Sequence, residues 1–266
     1  MEYQTLAIEQ FGAVRRISHN RPEARNAESR QLLDDLNHAF TAAAEDASVH
    51  VIILAGKGEH FSAGHDLKEA QRERGDFTVE ERWQFEVKRY LDYTLQIFHT
   101  PKPVIAQVQG ACIAAGFMVA NMCDIVMAAD DAFFSDPVAH SLGAAAVEVL
   151  VHPWVLGQRK AREMLYTGGR ISALEGEKLG MVNHVVPRAE LEERTMELAQ
   201  RIAKASPFAL SILKRSLNRT MDAQGFSVAI SAHFDTHQLS HVAGAFQSIR
   251  DGGLGNAILS NETAPA

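Results

Sequence analysis

The chain has little of what usually sorts a protein at first reading. In 266 residues there are only two cysteines, Cys112 and Cys123. They form neither a disulfide framework nor a metal-ligand spacing, and read as buried or half-buried thiols in a reducing compartment. No apolar run reaches transmembrane length, so no membrane partner is expected. The opening M-E-Y-Q-T-L-A-I-E lacks a basic region and an apolar signal core, which points to the cytoplasm. Basic runs are missing too, and the net charge is −7, so nucleic acid is not an expected partner. Without a secretion signal, the sequons at Asn218 and Asn261 carry no weight. There is no fixed-period repeat and no low-complexity tract.

What is present is 46% hydrophobic residues, ample for one sizeable core with or without a small appendage. Leu6–Ile8 and Val14–Ile17 read as a strand pair turning at Phe11-Gly12-Ala13. A polar loop, His19–Asn26, leads to a helix from about Ser29 with Leu32, Leu36 and Phe40 on one face. Val51–Leu54, Val104–Val108 and Ile125–Ala129 are continuous apolar runs, hence buried strands. Arg72–Thr78 reads as a mobile surface segment. Val79–His99 reads as one long amphipathic helix, and Met181–Val186 as a strand. Ser172 caps a short helix with Glu175 at capping-box distance. The remainder is helical, and the tail after Gly252 is expected to fray. Strands alternating with helices, then helices alone, predict an α/β core over 1–200 and a helical region over 201–266.

The stretch Gln109–Val138 organises the rest. A glycine turn with Ala111, Ala114, Ala115 and Gly116 opens a helix, where free backbone N–H groups face outward and small residues admit a ligand. A second turn of this kind, F-S-A-G-H-D (61–66), follows the strand ending at Leu54. Two such turns can aim two amides at one oxygen.

The runs F-S-A-G-H-D-L-K, P-K-P-V-I-A-Q-V-Q-G-A, M-C-D-I-V-M-A-A, E-M-L-Y-T-G-G-R-I-S-A and G-M-V-N-H-V-V-P, in this order, resemble the crotonase (enoyl-CoA hydratase/isomerase) superfamily over about Thr5 to Arg250. The resemblance implies a spiral of ββα units with a C-terminal helical trimerisation region, assembling as a homotrimer or dimer of trimers. It implies an acyl-CoA thioester as substrate, with coenzyme A entering as part of that substrate and no covalently bound cofactor or metal. An enzyme of the lyase or isomerase class, as in fatty acid metabolism, follows. Carried onto this chain, the enolate-holding backbone amides are those of His65 and Ala115. Ala24 and Arg25 on one loop, with Ala63, Asp66 and Leu67 opposite, would hold the adenine. Lys57, Lys68 and Arg250 are candidate phosphate partners.

The chain departs from the family pattern where hydratases carry two glutamates, which fall here at Met118 and Val138. Neither side chain moves a proton, and a positioned acid or base contributes roughly 10²–10⁴-fold. Ordinary hydration is therefore doubtful. Candidates for proton transfer are His140, Asp136 and Glu148, the last in the apolar run Val147–Val151. The His65 imidazole is a further possibility or a local orienting group. Phe117, Met118 and Val138 are expected to form an apolar acyl wall, and Asp124 to cap a turn. Three readings stay open: an enolate enzyme, a non-catalytic acyl-CoA-binding protein, and a β-diketone hydrolase on the same fold.

Overall fold

The computed structural model describes residues 3–256. A hairpin of β1 (Leu6–Phe11) and β2 (Val14–His19) begins a six-stranded sheet. It continues in parallel through β3 (Val51–Gly56), β4 (Val104–Val108), β6 (Ile125–Ala129) and β9 (His184–Val186), in the order β1-β2-β3-β4-β6-β9. The short strands β5 (Ala111–Ile113), β7 (Phe133–Ser135) and β8 (Arg170–Ser172) make a second sheet, ordered β5-β7-β8. Every residue of β3 and β4 is buried, which is why these strands are apolar without alternation. Successive side chains still part to opposite faces. Ile52 and Leu54 join the large core, while Val51, Ile53 and Ala55 meet Leu191 and Ala199 of a helix on the other face.

That helix is α9 (Leu191–Ala203). Before it come α1 (Arg30–Glu45), α2 (Leu67–Arg74), α3 (Val79–Glu86), α4 (Tyr93–His99), α5 (Ala115–Asn121), α6 (Val138–Ser141), α7 (His152–Thr167) and α8 (Ala173–Leu179). After it come α10 (Pro207–Ala223), α11 (Phe226–Ser240) and α12 (Gly244–Asp251). Ser29 caps α1 by accepting from the Leu32 N–H, and Ser172 caps α8 by accepting from Glu175.

The structure differs from the sequence expectation at four places. Arg72–Thr78 is not loose: α2 runs to Arg74, whose buried guanidinium lies 4.4 Å over the Phe85 ring and donates to the Tyr90 hydroxyl at 3.2 Å. The helix expected from Val79 to His99 is interrupted by a π-helical turn, Val87–Asp92. The strand at Met181 shortens to β9, because Met181 and Val182 instead bond the Gly176 carbonyl at the end of α8. Leu254 is buried, with its N–H on the Gln71 side chain at 3.1 Å, so the chain stays packed past Gly252. Residues 257–266, including the Asn261 sequon, lie outside the described part.

Candidate active site

The two strand-to-helix turns lie side by side. The Phe61 N–H donates to the Gln109 carbonyl at 2.8 Å, Ser62 to Ala111 at 3.1 Å, and Ile113 back to Ser62 at 3.0 Å. Contact at the junction is close enough to require glycine. A Cβ on Gly64, at φ +89°, would sit 2.9 Å from the Ile113 carbonyl oxygen and 3.3 Å from the Ala115 nitrogen. Ala115 is the first residue of α5, so its N–H has no acceptor within the helix. Its own φ is not positive; the strained residue is Ala114, at φ 52° and ψ −113°. On the other turn, the Gly64 carbonyl and the Asp66 N–H bond Glu28 at 2.8 and 3.1 Å, which directs the intervening His65 N–H away from that pairing. Among the described residues, neither the His65 nor the Ala115 N–H donates to a backbone carbonyl. Fixed donors of this kind suit negative charge developing on an oxygen.

The rim of the junction is the loop from Arg21 to Glu28. Pro22–Ala24 is a 3₁₀ turn that ends on Arg25 in the left-handed region. Ala63 donates to the Arg25 carbonyl at 3.0 Å, and Arg21 pairs with Asp66 at 3.0 Å. Asp66 caps α2 by accepting from Glu69. Burial pushes its carboxyl up, but the Glu69 N–H and the Arg21 guanidinium outweigh this and hold it low. Ala24, Arg25, Ala63, Asp66 and Leu67 thus share one edge, with Lys68 exposed beside it.

Behind the junction the side chains form a buried ionic chain. The His65 ring stacks on Tyr90 with centroids 3.7 Å apart, and Tyr90 sits in the π turn. The His65 Nε2 is 3.2 Å from Glu148, and its Nδ1 is 3.6 Å from Glu28. The other Glu148 oxygen is 3.4 Å from His237 Nε2. Burial raises the Glu28 carboxyl to about 7 even though His65 pulls it down. Burial acts likewise on Glu148, but the charges of His65 and His237 prevail and hold it well below the usual range. The imidazole of His65 is itself raised: burial opposes its charge, and Glu148, then Glu28, outweigh burial.

A family model described as enoyl-CoA hydratase/isomerase matches residues 9–243. The chain belongs to the enoyl-CoA hydratase/isomerase family. It is 41% identical over 258 residues to EchA13 of Mycobacterium tuberculosis, covering 91% of this chain and 80% of that one. A crystal structure of an enoyl-CoA hydratase/isomerase from Xanthobacter autotrophicus is 33% identical, with both chains fully covered and a TM-score of 0.91. Another, of a probable enoyl-CoA hydratase from Mycobacterium smegmatis, is 49% identical over 91% of this chain and 95% of that one, at 0.85. The fold is therefore the crotonase fold, with a helical C-terminal region, and the chain is an enzyme of the hydratase/isomerase family.

Within this family member the sequence candidates separate. Glu148 joins His65 at the junction. Asp136 is fully buried but occupied: it accepts from the Val138 and Val147 N–H groups, each at 3.2 Å, and lies 3.2 Å from His152. His140 is exposed, with its Nε2 2.7 Å from the Tyr166 carbonyl, and it is not brought to the cluster. Phe117 is a core residue, stacked on His152 at 4.4 Å and edge-on to Phe134. Met118 is buried, its sulfur accepting from the Val149 N–H at 3.3 Å, and Val138 is buried beside it in the same core. Asp124 accepts from the Val104 N–H and pairs with Lys214 of α10, both at 2.7 Å. Sequence reading missed Glu28, Tyr90, Glu86 and His237. Only Glu28 left a signal, as a carboxylate between the rim loop and a helix cap.

Proposed function

We propose that the protein binds an acyl-CoA thioester and works through its enolate, with the His65 and Ala115 amides receiving the charge on the thioester oxygen. Proton transfer belongs to the His65–Glu148 pair rather than to the missing glutamates. The ionised Glu148 carboxylate of the pair, steadied by the charged His65 ring, takes a proton from the carbon next to the carbonyl, and the C–H electrons move into the enolate, whose oxygen the two amides hold. Return of the proton to another carbon isomerises the substrate; in decarboxylation or C–C cleavage the bond to the departing CO₂ or acyl group supplies the enolate electrons instead, and the pair delivers a proton to the α-carbon. One observation carries this reading: His65 brings a free backbone N–H to the junction and a side chain 3.2 Å from a buried carboxylate. Met118 and Val138 cannot transfer protons, so hydration by two glutamates is not its reaction. The CoA end lies along Ala24, Arg25, Ala63, Asp66 and Leu67, with Lys68 toward the phosphates. Phe208, Ile212, Leu213 and Leu217 leave an exposed apolar stripe on α10, which supports a homotrimer.

The test is hydrogen exchange at the α-carbon of a panel of acyl-CoAs in D₂O. Wild type exchanges; His65→Ala and Glu148→Gln slow the exchange roughly 10²-fold or more. His65→Ala keeps its backbone N–H, so CoA-ester affinity changes little. Unchanged exchange in both variants sinks the pair. Binding without exchange by wild type favours the non-catalytic reading. The buried histidine–carboxylate cluster also suits a β-diketone hydrolase, which cleavage of a β-diketone without CoA reveals.

A further inference from the structure

A second cluster lies on the far side of Glu148. Glu86 ends α3, and His237 lies in the last turn of α11 with His241 just after it. The two histidines are four residues apart, so they share a helix face. One oxygen of Glu86, Oε2, stands 3.7 Å from His237 Nε2 and 3.8 Å from His241 Nδ1. Both distances exceed a hydrogen bond. Both ring nitrogens are buried and make no hydrogen bond, although His237 Nε2 also faces Glu148 at 3.4 Å. Leaving such groups unpaired costs about 1–3 kcal/mol each. A single proton on His237 leaves His241 unserved.

The surroundings hold these three groups in place. His237 Nδ1 lies 2.9 Å from the Ala146 carbonyl, and donating there leaves Nε2 between Glu148 at 3.4 Å and Glu86 at 3.7 Å, where a bound ion would take the place of the Nε2 proton. Gln238 fixes the carboxylate by donating to the same Oε2 at 2.5 Å, and the second oxygen is 3.5 Å from Arg82. The His241 ring is packed between His237 and Phe246, at 4.6 and 4.5 Å between centroids. The three ligand atoms all lie within 4.8 Å of one another. Donors about 2.1 Å from one tetrahedral ion stand about 3.4 Å apart, so the two Glu86 separations need close by only a few tenths of an ångström, and the two imidazole nitrogens, within 4.8 Å, by a rotation of the His241 ring.

We propose that Glu86, His237 and His241 form a binding site for a divalent first-row transition-metal ion. Two imidazoles and one carboxylate are a donor set that zinc and its neighbours accept, with water completing the shell. The ion ties α3 to α11 behind the Glu148 carboxylate. Sequence reading gives no hint of the site, because Gln238 and Glu86 are 152 residues apart.

The full-length protein, stripped with chelator and dialysed, is titrated with zinc chloride by calorimetry and with cobalt(II) by visible absorption. The expected result is about one equivalent per chain, ligand-field bands from bound cobalt, and a rise in Tm. Glu86→Gln and His241→Ala weaken binding at least 10-fold. His184→Ala, which removes an exposed surface histidine, leaves it unchanged. Absence of stoichiometric uptake by wild type overturns the proposal even if the variants fail to fold. Uptake that persists in Glu86→Gln and His241→Ala also overturns it, because the ion then sits elsewhere. No acyl-CoA enters the experiment, so its outcome is separate from that of the α-carbon exchange.

Discussion

At the scale of the residue, Gly64 holds the two turns together. Gly64→Ala brings a methyl to 2.9 Å from the Ile113 carbonyl at φ +89°. A loss of about 2 kcal/mol in chemical denaturation is expected, together with slower α-carbon exchange as the turns part. Glu28 makes the second residue-scale prediction. Its folded carboxyl is raised from 4.5 to about 7 by burial, with His65, Ser62 and Glu148 as its charged and polar neighbours. A raised acid contributes stability that is complete below its unfolded pKa and is lost as pH rises through about 7. Wild type therefore loses about 3 kcal/mol between pH 4.5 and 7 that Glu28→Gln retains, as read from denaturation midpoints across that range. The two helix-opening turns were legible in the sequence from their small residues; which amides they would aim at one oxygen came from the family resemblance. Glu28, Tyr90 and His237 were not, because what makes them unusual is burial against partners remote in the chain.

At the scale of the element, the capping box of Thr78 and Glu81 starts α3, the helix that carries Glu86. Thr78→Ala costs about 1 kcal/mol, visible in Tm. Apolar spacing revealed the helical course from Val79 to His99, and the buried strands β3, β4 and β6. It did not reveal the π turn. One extra residue in a turn barely disturbs the hydrophobic period, yet it decides which side chain faces His65. The three-residue strands β5, β7 and β8 were likewise too short to carry a pattern.

At the scale of the molecule, Lys214 joins the C-terminal helices to the sheet. Its ammonium donates to Asp124 at 2.7 Å, the Lys102 carbonyl at 3.2 Å and the Ile97 carbonyl at 3.5 Å. Burial raises the Asp124 carboxyl, and Lys214 opposes it. Lys214→Met leaves a part-exposed carboxylate without its partner and costs about 1 kcal/mol; adding Asp124→Asn restores much of the loss in a double-mutant cycle. For the proposed homotrimer, Phe208→Ser with Leu217→Ser on the α10 stripe is expected to shift the elution toward monomer in size-exclusion chromatography. The order of the six strands was not legible locally, since every interior strand reads as the same apolar run. The family resemblance supplied the fold that periodicity could not.

In the proposed mechanism the charge is held by the main-chain amides of His65 and Ala115, and this has a genetic consequence. No codon change at either position, short of proline, deletes an N–H. A saturation screen of this gene would return Gly64, Glu148, the His65 side chain and the core as sensitive, and would report nothing of the two amides themselves. Lineages can exchange the side chains that move protons while inheriting the charge-holding frame intact. Detecting that frame takes synthetic chemistry, an ester placed for one amide bond, rather than mutation.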